Sequence, residues 1–203
     1  KASAPDQAGV SVGNSQNTNK NAPANPATVN SAGDPVNTRT GALELEQNDV
    51  AVTGRGQYFN FKRTYNSLTA DLVGRFGKGW NSSYDMYYYQ DQVTKNVQIY
   101  LGGATAEVFT TADNGATFKP VTGSTDTLTA IANGLEFKTL DGVRYQFTLD
   151  VATGMKMLSS IIDPNGNTTN FGYTNVRNVQ LLTSITDASN RKFTLTYPPS
   201  DDP

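Results

Sequence analysis

The sequence predicts an all-β fold of antiparallel hairpins, arranged as a meander in an open, twisted or spiralling sheet, with a sandwich-like packing as the alternative. Apolar and polar residues alternate over long stretches, which is the pattern of half-buried strands. Asn-Gly and Asp-Gly pairs separate these stretches, as tight hairpin turns require. No stretch of ten or more residues has a convincing helical pattern. These three observations together favour short strands joined by turns.

The first strands are predicted in the segment that begins at Asp34. In two neighbouring stretches, apolar residues alternate with polar ones, and the second stretch keeps a period of two through an arginine and a tyrosine. Side chains two positions apart lie on the same face of a strand, so each stretch predicts a strand with one buried face. The residues concerned are Leu43, Leu45, Val50, Val52, Phe59, Phe61, Arg63 and Tyr65.

The later strands are predicted between four turn pairs, in which Asn, Asp and Gly tolerate the positive φ that tight hairpins need. The intervening strand-like runs are residues 116–121, 127–132, 135–140 and 143–149. The pairs are Asn114-Gly115, Asn133-Gly134, Asp141-Gly142 and Asn165-Gly166.

Residues 1–33 have a different composition from the rest of the chain. They consist almost wholly of small and polar residues, and the first aromatic residue of the chain is Tyr58. Such a segment cannot bury enough apolar surface to offset its ordering entropy. We therefore expect a low-complexity polar leader or linker at 1–33 and a β domain at 34–203.

Composition restricts the chemistry that the chain can perform. It contains no histidine and no cysteine, and its net charge is −2 with 17% charged residues. The common nucleophile–base triads are therefore unavailable, and the basic footprint of a nucleic-acid binder is missing. No apolar run is long enough for a spanning helix. The sequence predicts no enzyme, no cofactor, no metal, no nucleic-acid partner and no membrane-spanning segment.

A repeat is visible near the end of the chain, between residues 160 and 197. Ser160-Ile161-Ile162-Asp163 recurs as Ser184-Ile185-Thr186-Asp187, and Tyr173 recurs as Tyr197. Each offset is 24 residues. The pattern predicts two hairpin units that superpose, each covering the open edge of its neighbour.

An ordered series of short motifs runs through the first half of the β domain. The motifs are Asp34-Pro35-Val36-Asn37, Thr40-Gly41, Gly54-Arg55-Gly56, Arg63-Thr64-Tyr65-Asn66-Ser67, Gly74-Arg75-Phe76-Gly77-Lys78-Gly79-Trp80 and Ser83-Tyr84-Asp85. With the turn at 163–169, this series resembles the N-terminal module and first repeats of RHS/YD-repeat proteins, over about residues 34–197. The family's usual Tyr-Asp-x-x-Gly-Arg is only Tyr173-Thr174-Asn175-Val176-Arg177 here.

The resemblance implies a very large, secreted or cell-surface, bacterial or archaeal protein whose hairpins spiral into a hollow shell around a toxin or other effector. This chain would be a non-enzymatic scaffold segment, with the rest of a longer RHS chain as its partner. Two alternatives stay open. One is a self-associating extracellular subunit, in a filament or surface layer. The other is a carbohydrate-binding or adhesive module.

Two clusters are candidate site residues. Tyr84, Tyr87, Tyr88 and Tyr89 form the densest aromatic cluster, either a contact surface for sugars or proteins or ordinary cross-strand packing. Gly77, Gly79 and Trp80 form a structural motif: a strand-like run follows them, so turn glycines are favoured over a phosphate-binding loop. We expect Trp80 to be a buried anchor between this turn and the tyrosine strand.

Carboxylates are the remaining candidates for chemistry. A glycosidase works with two carboxylates, but an ordinary surface position is the favoured interpretation of the candidates here, which are Glu44, Glu46, Glu107 and Glu136. Asp163, Asn165 and Asn167 have the spacing that opens a calcium loop. The glycine of such a loop stands two places early here and no glutamate follows at its twelfth position, so a turn held by side-chain hydrogen bonds is favoured.

Overall fold

Strands dominate the computed structural model, which describes residues 36–37, 40–52, 59–102, 106–121, 123–152, 154–176 and 179–197. The predicted leader lies outside these residues. Among them, the only helical turn is a 3₁₀ turn at Ser67–Thr69. The strands are β1 Glu44–Val52, β2 Phe59–Asn66, β3 Val73–Gly74, β4 Gly77–Lys78, β5 Trp80–Ser82, β6 Met86–Gln90, β7 Val97–Leu101, β8 Ala106–Thr110, β9 Lys119–Pro120, β10 Thr127–Ile131, β11 Gly134–Lys138, β12 Arg144–Ala152, β13 Met155–Ile162, β14 Thr168–Val176, β15 Val179–Thr186 and β16 Lys192–Thr194.

The largest sheet has eleven strands and is branched. One path runs β10-β11-β12-β13-β6-β7-β8-β9, and β14, β15 and β16 leave it at β13. The branch exists because β13 changes partner along its length. Met155–Met157 pairs with β6, whereas Ser160–Ile162 pairs with β14. Every pairing is antiparallel, and the described strands form open sheets that do not close into a barrel. The all-β prediction is confirmed.

A smaller sheet of β1, β2 and β5 forms a second layer on part of the large one. The buried face of β2 carries Phe59 and Phe61, as their alternation predicts. The Phe59 ring stacks on Phe193 at a centroid distance of 4.1 Å and lies 5.7 Å from Tyr84. Aromatic side chains therefore join the two layers, and burial of such large rings contributes much of the core energy.

The core is one cluster of apolar residues from both sheets. Its most buried members come from strands that are distant in sequence, so the core forms only when the whole sheet is assembled. The largest fully buried side chains are Phe109, Phe137, Phe147, Ile99, Met157, Leu158, Ile185 and Val97.

Two turns at one end of the sheet have the same hydrogen-bond pattern. The Asp163 and Asp187 carboxylates are buried. Each accepts from the backbone N–H groups two and four positions later, at 2.8–2.9 Å. In each turn the second carboxylate oxygen accepts from the side chain four positions later, Asn167 or Arg191. The hydrogen bond from the Asn167 side chain contributes most to lowering the pKa of Asp163.

A third turn, which the sequence repeat did not reveal, lies 24 positions earlier. The backbone N–H of Thr139 donates to Val143 O, and that of Gly142 donates to Thr139 O. The Asp163 and Asp187 turns have the same two backbone bonds. Positive φ recurs at Gly142, Gly166 and Asn190, with values of 88°, 85° and 61°. Phe137, Ile161 and Ile185 repeat the buried position before each turn. The period therefore extends over three turns.

The two closing tyrosines of the repeat have different surroundings. The Tyr197 hydroxyl donates to Leu182 O at 2.9 Å. The Tyr173 hydroxyl is buried and has no hydrogen-bond partner. In addition, β16 has three residues where β14 has nine. The units therefore match at their turns and diverge toward their far ends.

Some predicted elements differ in detail. The run at 116–121 contributes only Lys119–Pro120, because a loop held by the Asp113 carboxylate occupies the preceding residues. In three of the four turn pairs only one residue has positive φ; Asn114-Gly115 has it at both. Gly134 is a turn-pair glycine without positive φ, because it is already the first residue of β11. Glycine is needed there for space, since a Cβ would overlap the Phe147 carbonyl.

Substitutions at Asn190 test the shared turn geometry. Asn190→Gly should change the free energy of unfolding by less than about 0.5 kcal/mol, because glycine occupies the equivalent positions 142 and 166. Asn190→Val should cost about 1–2 kcal/mol, because a β-branched residue resists positive φ. Urea unfolding measures both, with Ser189→Val as the control. Equal effects of the two valine variants would contradict the assignment.

Candidate functional site

The tyrosine cluster does not form one surface. Tyr84 and Tyr88 lie in the core, with exposed fractions of 9% and 3%. Tyr87 and Tyr89 lie on the opposite face of β6, as strand alternation requires, and Tyr89 is 41% exposed. Tyr84 and Tyr88 are therefore core residues, and only half of the predicted contact surface is available for contact.

The outward tyrosines pack across strands. The Tyr87 ring stacks on Tyr100 of β7 at 4.7 Å between centroids and an interplanar angle of 18°. The Tyr100 hydroxyl donates to Gln98 Oε1 at 3.1 Å. Each ring thus covers one face of the other, which leaves less flat aromatic surface for a sugar ring than four separate tyrosines would. Cross-strand packing accounts for this pair.

The Gly-rich segment is a tight hairpin of β3 and β4. Gly77 and Gly79 have φ of 107° and 73°. A Cβ on Gly79 would lie 2.7 Å from Tyr65 Cε2, and one on Gly74 would overlap the Trp80 carbonyl. Strand β5 follows directly, so no helix N-terminus is present to bind a phosphate. The glycines permit close packing of backbone against β2 and β5.

Trp80 is half-buried, so the prediction of a buried anchor beside the tyrosine strand is wrong. It pairs with Tyr65 of β2, and the two rings lie 5.5 Å apart. The Arg63 guanidinium lies 5.4 Å from the indole centroid, while its Nε binds the Asp49 carboxylate at 2.6 Å. Trp80 therefore covers the small sheet and leaves one face to a cation.

Arg75, at the tip of the same hairpin, contacts two strands of the large sheet and the residue that precedes a third. Its guanidinium forms an ion pair with Asp85, which directly precedes β6. Nε donates to Gln180 O on β15 at 2.8 Å, and Nη2 lies 3.2 Å from Met157 Sδ on β13. The side chains of Arg75 and Asp85 are only 16% and 8% exposed. This buried ion pair links elements that are far apart in sequence.

Tyrosines surround this ion pair. Burial raises the pKa of the Asp85 carboxyl, and Arg75 partly offsets that effect. Burial also raises the pKa values of Tyr87, Tyr173 and Tyr197, each of which interacts electrostatically with Asp85 and Arg75. These phenols stay neutral at physiological pH. The Arg75–Asp85 ion pair is therefore the charged contact among neutral tyrosine side chains. A pair held in this way is suited to fixing the relative positions of the strands that it joins.

Sequence reasoning missed this pairing, although it quoted both residues within motifs. An arginine inside a Gly-rich turn and an aspartate directly before a tyrosine-rich strand were the available indications. Nothing local identifies them as partners, because the third contact, Gln180, is more than 100 residues away.

Three of the four candidate glutamates are engaged with nearby polar groups. Glu46 pairs with Lys62 at 2.8 Å, Glu136 accepts from Gln146 at 2.8 Å, and Glu44 accepts from Asn66 at 3.3 Å. Glu107 has a buried oxygen without a partner, and burial together with Asp126 raises its pKa. The described residues contain no group of three potential metal ligands. The Asp163 carboxylate accepts hydrogen bonds from Asn165 and Asn167 of its own turn, which is the arrangement that the sequence favoured over a calcium loop.

Comparison with known proteins finds a matching family, similar sequences and similar structures. Residues 33–109 match the family described as Domain of unknown function (DUF6531). The chain is 34% identical over 145 residues to the tRNA3(Ser)-specific nuclease WapA of Bacillus spizizenii and to the tRNA nuclease WapA of Bacillus subtilis. Each alignment covers 68% of this chain and 6% of the relative. The chain thus spans a small fraction of these relatives.

Two solved structures have a similar fold. The N-terminal domain of the effector SpvB from Salmonella typhimurium aligns with a TM-score of 0.51 and 12% identity, over 70% of this chain and 63% of that one. The Photorhabdus luminescens Tc holotoxin pore aligns with a TM-score of 0.50 and 16% identity, over 79% of this chain and 10% of that one. Together with the sequence matches, these similarities fit an RHS-type protein.

The prediction of a protein without enzymatic activity is wrong, because the curated relatives are named tRNA nucleases. The absence of histidine and cysteine restricts only the chemistry of these 203 residues. It does not restrict proteins of which such a segment is a small part. No helix among the described residues is long and apolar enough to cross a membrane.

Alanine substitutions at two glycines test the close packing of the Gly-rich hairpin. Gly123 has a φ of 68° and no atom within 4 Å of the position that a Cβ would take, so Gly123→Ala should cost only the backbone strain, about 1–2 kcal/mol. Gly79→Ala should cost about 1–3 kcal/mol more, because its Cβ meets Tyr65. Urea unfolding measures the difference. Equal costs would contradict the contact.

A double-mutant cycle tests the ion pair. Asp85→Leu should cost about 3–5 kcal/mol, because it leaves the Arg75 charge buried without its counter-ion. Arg75→Met combined with Asp85→Leu should cost much less than the sum of the single changes, because no charge then remains buried. Chemical unfolding gives all four values. A coupling energy below about 0.5 kcal/mol would show that the two residues act independently.

Proposed function

We propose that this chain is a scaffold segment of a longer, secreted RHS-type toxin protein, on which the following part of the protein builds its sheet. The observation that carries the proposal is the outer edge of β16. Among the described residues this edge has no partner, although it follows three turns spaced 24 residues apart. A further unit of the same kind would pair there.

Strand energetics support a continuation of the sheet. An edge strand offers unpaired N–H and C=O groups, and proteins generally cover or disrupt such edges. The described β16 residues are Lys192, Phe193 and Thr194, and Phe193 packs on Phe59 in the core. The strand is therefore anchored on its inner face, while its outer edge pairs with none of the described strands, which suits it to pair with a following strand.

We propose that the longer protein cleaves RNA, because the curated relatives are named tRNA nucleases. Incubation of the longer protein with transfer RNA should give shortened products on a denaturing gel. RNA that stays intact under conditions in which a known ribonuclease cleaves it would contradict this part of the proposal.

A self-associating subunit is the second candidate, because the β16 edge could also pair with another copy. Light scattering at micromolar concentration separates the candidates: a monomer favours the longer-protein proposal, and a defined oligomer favours self-association. The carbohydrate-binding alternative has less support, since Tyr84 and Tyr88 are buried and Tyr87 stacks on Tyr100.

Amide hydrogen exchange tests the β16 edge. The Leu195 N–H donates to Thr183 O, so antiparallel alternation directs the Lys192 and Thr194 N–H groups to the open edge. These two amides should exchange at least about tenfold more slowly in the longer protein than in the 203-residue chain. The Phe193 amide faces β15 and is the internal control. Equal exchange of Lys192 and Thr194 in both proteins would argue against sheet continuation.

A further inference from the structure

Glu107 is a carboxylate on the inner face of the large sheet. It pairs directly with Ile99 of β7, and it lies two positions before Phe109 on β8. Both of these apolar side chains are fully buried. Residues in direct register share a face of the sheet, and so do residues two positions apart, so Glu107 faces the same interior. Its Oε2 atom is buried and has no hydrogen-bond partner. On that oxygen, the charged form lacks the water and the donors that would stabilise it.

A second carboxylate lies across a seam from Glu107. The path from β10 to β9 curls until these two terminal strands lie close together, and among the described residues they do not pair. We call this gap the β9–β10 seam. Strand β8, which carries Glu107, pairs with β9 on one side of it, and Asp126 directly precedes β10 on the other. Asp126 acts electrostatically on Glu107. Its carboxylate is held in place, because it accepts from the Leu140 N–H at 2.9 Å and from the Ser124 hydroxyl at 2.8 Å.

No cation among the described residues offsets these two carboxylates, since neither takes part in an ion pair there. The side chains that share the inner face with Glu107 on the surrounding strands are apolar: Ile99, Pro120, Leu128 and Phe137. Strand alternation directs the ionisable side chains of the same strands to the opposite face. They are Tyr100 of β7, Lys119 of β9, and Glu136 and Lys138 of β11. Repulsion between Glu107 and Asp126 is therefore uncompensated when both are charged.

We propose that Glu107 and Asp126 form a proton-controlled closure of the β9–β10 seam. With a proton on Glu107, the two carboxyl groups no longer repel each other, and the seam stays closed over a dry interior. With a charge on Glu107, repulsion from Asp126 and the demand of the carboxylate for water open the seam. The proposal does not rest on the proposed function, since it concerns the curled path and not the β16 edge.

The direction of the pH effect depends on which state of the chain binds the proton more tightly. Burial, and after it the charge of Asp126, raises the pKa of the Glu107 carboxyl above its ordinary value. The folded chain therefore holds this proton at a pH at which the unfolded chain has lost it. The contribution of Glu107 to stability is complete below the ordinary pKa of a glutamate, and it is lost as the pH rises through the raised pKa. Mild acid should thus close the seam, and neutral pH should loosen it.

NMR titration of the 203-residue chain tests the state of Glu107. Its side-chain carboxyl resonance, assigned by comparison with Glu107→Gln, should titrate with a higher midpoint than a glutamate in an unstructured peptide under the same conditions. Asp126→Asn should lower this midpoint, because it removes the neighbouring charge and keeps a side chain of the same size. A Glu107 midpoint no higher than that of the peptide overturns the proposal.

Urea unfolding measures the contribution of the proton to stability. Asp85 and Asp163 also have shifted pKa values, so the parent chain and Glu107→Gln are compared at each pH. Near neutral pH the unfolding equilibrium constant of Glu107→Gln should be at least about threefold lower than that of the parent, and the ratio should approach one in mild acid. Glu46→Gln, where the side chain is 54% exposed, is the control and should not show this convergence. A Glu107→Gln ratio that is the same at both pH values overturns the proposal.

Two spin labels measure the width of the seam. The chain has no native cysteine, so Thr110→Cys and Thr129→Cys place one label on each side of the seam, both at exposed strand positions. The distance between the labels should become shorter and more narrowly distributed as the pH falls through the Glu107 midpoint. In Glu107→Gln, whose side chain stays neutral, the distance should be short at every pH. A distance that does not change with pH, or that changes equally in Glu107→Gln, overturns the proposal.

Discussion

The buried ion pair between Arg75 and Asp85 is the polar contact that joins the two sheets, in addition to the aromatic contacts of Phe59. Arg75 leaves a short hairpin between strands of the small sheet and binds Asp85, Gln180 and Met157 of the large one. A guanidinium that leaves water needs its donors satisfied in fixed directions. One side chain thereby sets the positions of β6, β13 and β15 relative to the small sheet.

The glycines around Arg75 let its hairpin pack closely enough for the arginine to reach the large sheet. Gly74 lies against the Trp80 carbonyl and Gly79 against Tyr65, at distances that leave no space for a Cβ. The hairpin can therefore lie flat on the small sheet while Arg75 points away toward Asp85. Trp80 continues the same segment into β5 and covers β2. The motif from Gly74 to Trp80 thus combines backbone freedom, one buried charge and one aromatic cover.

The sequence was sufficient for the parts of the fold that depend on near neighbours. Alternation at Phe59 and Phe61 identified the buried face of β2, and the Asp163 turn followed from its side-chain hydrogen bonds. Strand order was not predictable, because β13 pairs with β6 through residues about 70 positions apart. The third turn was hidden because Thr139 replaces aspartate, and its hydroxyl donates to Asp141 and to Val143 O instead of accepting from backbone N–H groups. Arg75 and Asp85 were visible as residues but not as partners.

The branch at β13 gives the large sheet one direction of growth. Along the path from β10 to β9, the two terminal strands lie close to each other without pairing among the described residues. That branch therefore curls back on itself, and its edges shield one another. The other branch runs outward through β14 and β15 to β16, with turns repeated every 24 residues. Because the curled branch anchors the sheet while the repeating branch carries its free edge, additional strands would extend the molecule from β16. The row of Tyr145, Ile161 and Thr169 crosses β12, β13 and β14 where the two branches separate, so the branch point belongs to the part of the sheet from which β14 to β16 extend.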